Sequence, residues 1–329
     1  MSDHKKVTVI GGGAWGTALA LTMIAAGHGA VLWAREVATV EAINQRGENP
    51  RYLPGIVLGK RLQATENIDA ALKDASHVLV VVPAQTLRAV FSTVAGRIAP
   101  GVPIVICAKG IEASSGLLPS AIAAEFFPEQ TIGALSGPSF ARDVAQGLPT
   151  AVTVAADDAA IARELAAFLT APHFRCYSSD DLVGVELGGA LKNVMGIAAG
   201  AVSGAGLGAS ALAAMVTRGF VELRRVGAAL GGRPETLMGL SGLGDLILTC
   251  GSERSRNFLY GRALARGENT EGLPLAEGVA TAAIAAKIAA ERGIEAPIIS
   301  AVSALLEGRT TVAEAVTGLL ARPLKSEDA

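Results

Sequence analysis

The sequence predicts an α/β protein in two parts, a doubly wound parallel sheet over residues 1–180 and an all-helical domain over residues 181–329. Three observations predict it. Short apolar runs alternate with helical patterns through the first half, the first of these runs leads into Gly11-x-Gly13-x-x-Gly16, and from Asp181 onward the pattern is helical almost throughout. With 329 residues the chain also exceeds the size at which one core usually stops growing, which favours two domains.

Residues 7–10 are apolar and read as a strand. The glycine motif that follows opens a helix over 14–26, the context in which it signals a dinucleotide. Gly11 permits the tight turn and Gly13 lets the backbone approach a pyrophosphate. Gly16 lets helix pack on strand, and the free N–H groups of the helix start attract the anion. Strand 30–34, helix 37–45, strand 77–82, helix 87–98 and strand 104–107 continue the alternation, followed by strands 131–135 and 151–155 and a helix over 159–169. Near-continuous apolar strands separated by helices imply a parallel sheet buried on both faces. Helices are then expected over 182–201, 209–229, 276–292 and 313–320, with breaks at Gly231-Gly232, 239–244 and Pro297. No linker rich in Pro, Ser or charge separates the halves, so they should share a broad interface. Residues 325–329 read as a frayed polar end.

Composition excludes several classes. Twenty-eight Lys and Arg against 30 Asp and Glu give a net charge of −2, with no basic field for nucleic acid. Cys107, Cys176 and Cys250 are odd in number and far apart, which suits buried thiols in a reducing, cytoplasmic compartment. His4, His28, His77 and His173 lack ligand spacing, so no metal site is expected. Residues 1–6 are polar and show no secretion signal. Residues 193–217 are uncharged and as long as a membrane span, but they are mostly Ala, Gly and Ser, and Gly204 to Gly208 reads as a break between two helices. They are expected to form a buried core with close backbone contacts.

Four clusters carry chemistry. Trp33-Ala34-Arg35-Glu36 stands where the second strand should end: an acid there would bind the ribose of NAD, and an arginine the extra phosphate of NADP. The pair offers both, with Arg35 favouring NADP and Glu36 opposing it. Lys109 follows the strand 104–107 at the carboxyl edge of the sheet, and together with the loop 135–141 it suggests a substrate rim. Lys192 is a cation on an otherwise apolar helix, where burial would lower its pKa toward the range of proton transfer. Asp245 is the acid best placed to compensate it, although a purely structural ion pair would look the same. Finally, Ser255, Arg256 and Asn257, with Arg262 and Arg266 further on, would suit a phosphate monoester or simply a solvated helix start.

With these clusters in one order, the chain resembles the bacterial NAD(P)-dependent glycerol-3-phosphate dehydrogenases over nearly its full length. The residues that carry the match are GGGAWGTALA at 11–20, CAKGIE at 107–112, LSGPSFA at 135–141, ELGGALKNVMGIAAG at 186–200, GLSGLGDLILTC at 239–250 and Ser255-Arg256-Asn257. The resemblance implies a Rossmann-type N-terminal domain, a helical C-terminal domain and Lys192 as the catalytic residue. It implies substrate contacts from Lys109, Gly137, Ser139, Lys192, Asp245, Ser255, Arg256 and Asn257. Cofactor contacts would come from Gly11, Gly13, Ala14, Trp15, Gly16, Arg35, Lys109, Ala141, Arg256, Leu275 and Glu277. Ala14 stands where the family often has serine, and Leu275-Ala276-Glu277 is a looser version of its Val-Val-Glu; both departures concern cofactor contacts. The implied activity is reduction of dihydroxyacetone phosphate by NADPH or NADH, with Lys192 as general acid, supplying glycerophospholipid synthesis from a cytoplasmic homodimer. Ketopantoate and 6-phosphogluconate reductases share the layout, and a nucleotide-sensing module would share the first domain.

Overall fold

The structure, a computed structural model, describes residues 5–323; His4 and the polar end at 325–329 lie outside the described residues. Among the described residues ten strands form: β1 (Lys6–Ile10), β2 (Gly29–Trp33), β3 (Glu48–Asn49), β4 (Leu53–Val57), β5 (Gln63–Thr65), β6 (His77–Val80), β7 (Ile104–Ile106), β8 (Ile132–Ser136), β9 (Thr150–Ala156) and β10 (Phe174–Ser179). Eight of them make one sheet in the order β10-β9-β8-β7-β6-β1-β2-β5, and β3 and β4 form a separate pair. β1 pairs in parallel with β2 on one side and β6 on the other. The strand order therefore reverses at β1, and the crevice at its carboxyl end is where ligands bind in such sheets.

Side chains alternate across the strands as a two-residue period requires. Val9, Leu79 and Val105 face a core with Leu19 and Met23 of the helix Ala14–Ala25, whereas Ile10, Val78, Val80, Ile104 and Ile106 face Leu87, Phe91 and Ile122 on the opposite side. Burial on both faces explains the continuous apolar runs.

The sheet is not parallel throughout. β8 and β9 pair antiparallel, and β10 runs with β9. The connection from β8 carries only the helix Ala141–Ala145, and Ala141 and Arg142 line the same cleft as the glycine turn. The chain thus stays at the carboxyl edge, and β9 starts beside the end of β8, with Ser136 opposite Thr153. Only then does the helix Ala159–Leu169 cross back to set β10 parallel to β9.

The helix Leu182–Gly204 organises the second part. Asp181 caps it by accepting from the Gly184 N–H at 2.9 Å. Its first turn sits on the sheet through Leu182 and Val185 against Ala134 of β8 and Ala155 of β9, and its Glu186 accepts from the Ser120 N–H at 2.8 Å. The helix is long and apolar enough to cross a membrane, yet it is buried from Leu182 to Val202 apart from the half-buried Val183. The expected break follows it: Gly206 has φ +68°, and the helix Gly208–Ala229 begins anew. Small residues serve close approach here. A Cβ on Gly200 would meet Phe258 O at 1.9 Å, and one on Gly204 would meet Arg262 O at 2.6 Å, so a glycine stripe lets the helix Arg256–Ala265 lie against the backbone.

One boundary and several elements differ from expectation. Pro297 starts a helix, Pro297–Leu306, rather than only ending one, because proline at the first helical position forfeits no bond. The edge strand β5, the helix Pro119–Phe126 and β10 lie outside the expected elements; β5 has three residues and β10 has exposed polar positions, so neither shows as an apolar run.

Candidate active site

A cleft of about 820 Å³ runs along the carboxyl edge of the sheet between its crevice at β1 and the helical part. At one end lies the glycine turn. Gly11 has φ +131°, and a Cβ there would strike Val81 O at 2.4 Å; a Cβ on Gly16 would strike Gly11 O at 1.9 Å. Gly16 therefore shapes the turn from behind and does not line the cleft, as Gly11, Gly13, Ala14 and Trp15 do. Gly13 begins the helix without a side-chain cap, no acid occupies its first turn, and nothing lies within 4 Å of the place a Gly13 Cβ would take. Open space before uncapped N–H groups fits a dinucleotide pyrophosphate.

Beyond the turn, Arg35 is exposed at the cleft. Its neighbour Glu36 is engaged elsewhere. Tyr52 Oη donates to it at 2.9 Å, Thr39 Oγ1 donates at 3.1 Å and Arg51 pairs at 2.9 Å. The Tyr52 hydrogen bond, ahead of the Thr39 bond and the arginine charges, holds the carboxyl below its ordinary value. Glu36 is thus ionised but screened by Arg51, and the expected conflict with Arg35 is softened.

The centre of the cleft is built on Asp245. Its Oδ2 lies 2.7 Å from Lys109 Nζ and its Oδ1 lies 3.1 Å from Lys192 Nζ. Lys192 Nζ also donates to Thr249 Oγ1 at 2.8 Å, and Lys109 Nζ donates to the Gly137 carbonyl at 2.9 Å. Burial pushes the Lys192 ammonium below its ordinary pKa, with the Asp245 charge opposing and the Lys109 charge assisting. Burial alone would raise Asp245, but the two lysines outweigh it and hold the carboxyl low. One carboxylate between two ammonium groups leaves a net positive charge, suited to an oxyanion. Asp245 and Gly137 stand behind the wall and act through the lysines, whereas Lys109, Ser139, Ala141 and Lys192 line it.

The far wall is the start of the helix Arg256–Ala265. Ser255 caps it by accepting from the Phe258 N–H at 3.3 Å. The N–H groups of Arg256 and Asn257 keep no partner among the described residues, and Arg256 forms no salt bridge. Asn257 holds its place differently than expected: its Oδ1 accepts from the Gly278 N–H and its Nδ2 donates to Asn193. Arg262 and Arg266 pair with Glu253 and Glu268 away from the cleft. Leu275 and Glu277 line the cleft, and Glu277 accepts from the Ala84 N–H at 2.8 Å. Burial raises its pKa against that hydrogen bond and the nearby cations.

Thr249, Asn193 and the Arg51–Tyr52 pair escaped the sequence reading. Thr249 carried a signal, since it lies one helical turn after Asp245 on an apolar helix, Asp245–Cys250; the others are brought in only by tertiary contact. Cys107, Cys176 and Cys250 are buried and free, and burial pushes each thiol up to about 12.

Comparison with known proteins gives the family. Residues 6–162 match the family model for the N-terminus of NAD-dependent glycerol-3-phosphate dehydrogenase, and residues 181–317 match that for its C-terminus. A glycerol-3-phosphate dehydrogenase [NAD(P)+] from Mesorhizobium japonicum is 65% identical over 98% of this chain and 94% of its own. One from a Chelativorans species is 62% identical over 99% and 100%. The crystal structure of glycerol-3-phosphate dehydrogenase from Coxiella burnetii superposes with a TM-score of 0.92 at 34% identity, covering 97% of this chain and 99% of that one. With both halves matched in order over nearly its whole length, the chain belongs to the NAD-dependent glycerol-3-phosphate dehydrogenase family.

Proposed function

We propose that the protein catalyses the reversible, NAD(P)H-dependent reduction of dihydroxyacetone phosphate to sn-glycerol 3-phosphate. The observation that carries this reading is the Asp245 carboxylate bridging Lys109 and Lys192 between a dinucleotide turn and the start of the helix Arg256–Ala265. The names of the relatives give glycerol 3-phosphate and NAD(P)+.

When bound, NADPH or NADH supplies a hydride to C2 of the ketone. The chain's own residues do the rest. The helix start at Arg256 and Asn257, with the Arg256 guanidinium, holds the phosphate and so fixes the distance of C2 from the lysines. Lys192 faces the carbonyl oxygen as it gains negative charge, stabilises it and gives it a proton from Nζ; in reverse, neutral Lys192 takes that proton. Thr249 and Asp245 hold Nζ in place, and Lys109 adds a second positive charge. Gly11, Gly13, Ala14, Trp15, Arg35, Ala141, Leu275 and Glu277 form the cofactor side, with residues 1–180 as the dinucleotide domain and 181–329 as the substrate domain. Glycerophospholipid synthesis in the cytoplasm, by a homodimer, is the setting inferred from the family.

The test is oxidation of NADPH and of NADH with dihydroxyacetone phosphate, with unphosphorylated dihydroxyacetone as control. Turnover with the phosphorylated ketone alone is expected. Tight cofactor binding with no turnover would reject the reaction in favour of a sensor.

A further inference from the structure

In the wall of the cleft, buried groups form one hydrogen-bonded chain, and Asn193 and Asn257 themselves line the cleft. Asn193 Nδ2 donates to the carbonyls of Lys109 at 2.9 Å and Gly189 at 3.3 Å. Asn257 Nδ2 donates to Asn193 Oδ1 at 2.8 Å, and the Gly278 N–H donates to Asn257 Oδ1 at 2.9 Å. The ends fix its direction. Carbonyls only accept, so Asn193 must face them with its NH₂ and offer its oxygen to Asn257. A backbone N–H only donates, so Asn257 must face Gly278 with its oxygen and offer its NH₂ to Asn193. Turning either amide would set acceptor against acceptor. The packing is equally restrictive, since a Cβ on Gly278 would meet Asn193 O at 2.5 Å and Asn257 Oδ1 at 2.9 Å.

Apart from Gly189, each link lines the cleft or directly follows a residue that does: Lys109, Asn193 and Asn257 line it, and Gly278 follows Glu277. The links come from the loop after β7 and from three helices: Leu182–Gly204, Arg256–Ala265 and Glu277–Glu291. We infer that the Asn193–Asn257 amide pair is a positioning unit that couples the far wall of the cleft to Lys109 at its centre, so that a phosphate held at Arg256 strengthens dinucleotide binding at Lys109 and Glu277. A ligand that orders one end of a rigid hydrogen-bonded chain spares the second ligand part of the ordering at the other, and the effect is reciprocal.

The inference rests on the functional reading for which ligand occupies which end. Equilibrium binding tests it apart from turnover. The dissociation constant of NADPH is measured by fluorescence with and without sn-glycerol 3-phosphate, a pair that cannot react, for the wild type, Asn193→Ala, Asn257→Ala and the double variant. In the wild type, sn-glycerol 3-phosphate should tighten NADPH at least about fivefold. Each single variant should bring that ratio close to one, and the double variant should be no worse than either single, because the pair acts as a unit. A ratio that survives in Asn193→Ala overturns the proposal. So does an Asn257→Ala variant that binds sn-glycerol 3-phosphate more weakly but keeps the ratio, since Asn257 would then be only a ligand. A wild type that turns over dihydroxyacetone phosphate with a ratio near one overturns the coupling and leaves the function standing. If the variants fail to fold, hydrogen exchange of residues 276–282 in the wild type decides: it should slow with sn-glycerol 3-phosphate alone, and unchanged exchange overturns the proposal.

Discussion

Lys192 Nζ stands 3.1 Å from Oδ1 of Asp245, whose side chain is only 3% exposed, and the lysine side chain itself is 10% exposed, opening on the cleft. A buried cation that reaches a ligand-sized cleft is placed to act on what lies there. Lys192→Ala should lower kcat by roughly two to four orders of magnitude, the usual loss for a general acid, with the NADPH dissociation constant nearly unchanged. Steady-state kinetics beside fluorescence titration checks both halves. Retained turnover would remove Lys192 from the chemistry.

Asp245→Asn tests the counter-charge. Without the carboxylate, Lys192 loses the partner that opposes its lowered pKa and keeps Lys109 as a neighbour, so its pKa falls further. Ketone reduction needs the protonated lysine, and the alkaline fall of kcat should therefore move to lower pH. Alcohol oxidation needs the neutral lysine and should keep more of its rate at lower pH. A pH profile unmoved from that of the wild type would show that Asp245 does not set the lysine's charge.

Arg35 faces the cleft while Glu36 is held by Tyr52, Thr39 and Arg51. Arg35→Ala should weaken NADPH by about tenfold or more, the worth of a charge-assisted bond to phosphate, and leave NADH nearly unaffected. The measurement is KM for each cofactor. Equal losses for both would mean that Arg35 does not meet the extra phosphate.

The glycine turn, the buried strands and the buried Lys192 were legible in the sequence because each breaks a local rule: glycines at a helix start, apolar runs without alternation, a charge on an apolar helix. The uncharged segment 193–217 was legible as buried packing only over 193–202; residues 205–210 are exposed and 211–217 are half-buried or exposed, so the expected core ends where the helix Leu182–Gly204 ends. What sequence could not show depends on distance along the chain. The antiparallel turn into β9 follows from where a short loop ends in space. The Asn193–Asn257 bond joins positions 64 residues apart, and an asparagine looks the same in sequence whether its amide meets a ligand or a backbone.

The glycine stripe makes a stability prediction. Gly200→Ala puts a Cβ 1.9 Å from Phe258 O, which forces backbones apart and should cost about 3 kcal/mol, at the upper end for overpacking. Gly318, on the exposed helix Val312–Leu320, has nothing within 4 Å of its Cβ position, so Gly318→Ala should be neutral or gain up to about 1 kcal/mol. Denaturation of the two variants side by side checks the contrast. Equal behaviour would mean that the helix crossing can open without loss.

The opposite edge of the sheet carries a pH dependence. His77 at the start of β6 stacks on Phe168 at 3.5 Å between ring centroids, and His28 stacks on the same ring at 4.2 Å. Burial, with some help from the His28 and Lys5 charges, pushes His77 down from 6.5 to about 4. The folded protein then binds fewer protons than the unfolded chain between those values. Stability from this group is fully present above pH 6.5 and is lost as pH falls toward 4. Screening of the partly exposed ring limits the loss to about 1–2 kcal/mol. Glu186 and Glu222 act in the other direction: burial raises each to about 7, so their contribution is lost as pH rises from about 4.5 to 7. His77→Phe keeps a ring against Phe168 and removes the titration. The variant should therefore lose less stability than the wild type between pH 6.5 and 4, read as the difference in unfolding midpoint at the two pH values. An identical acid loss in both proteins would assign it to other groups.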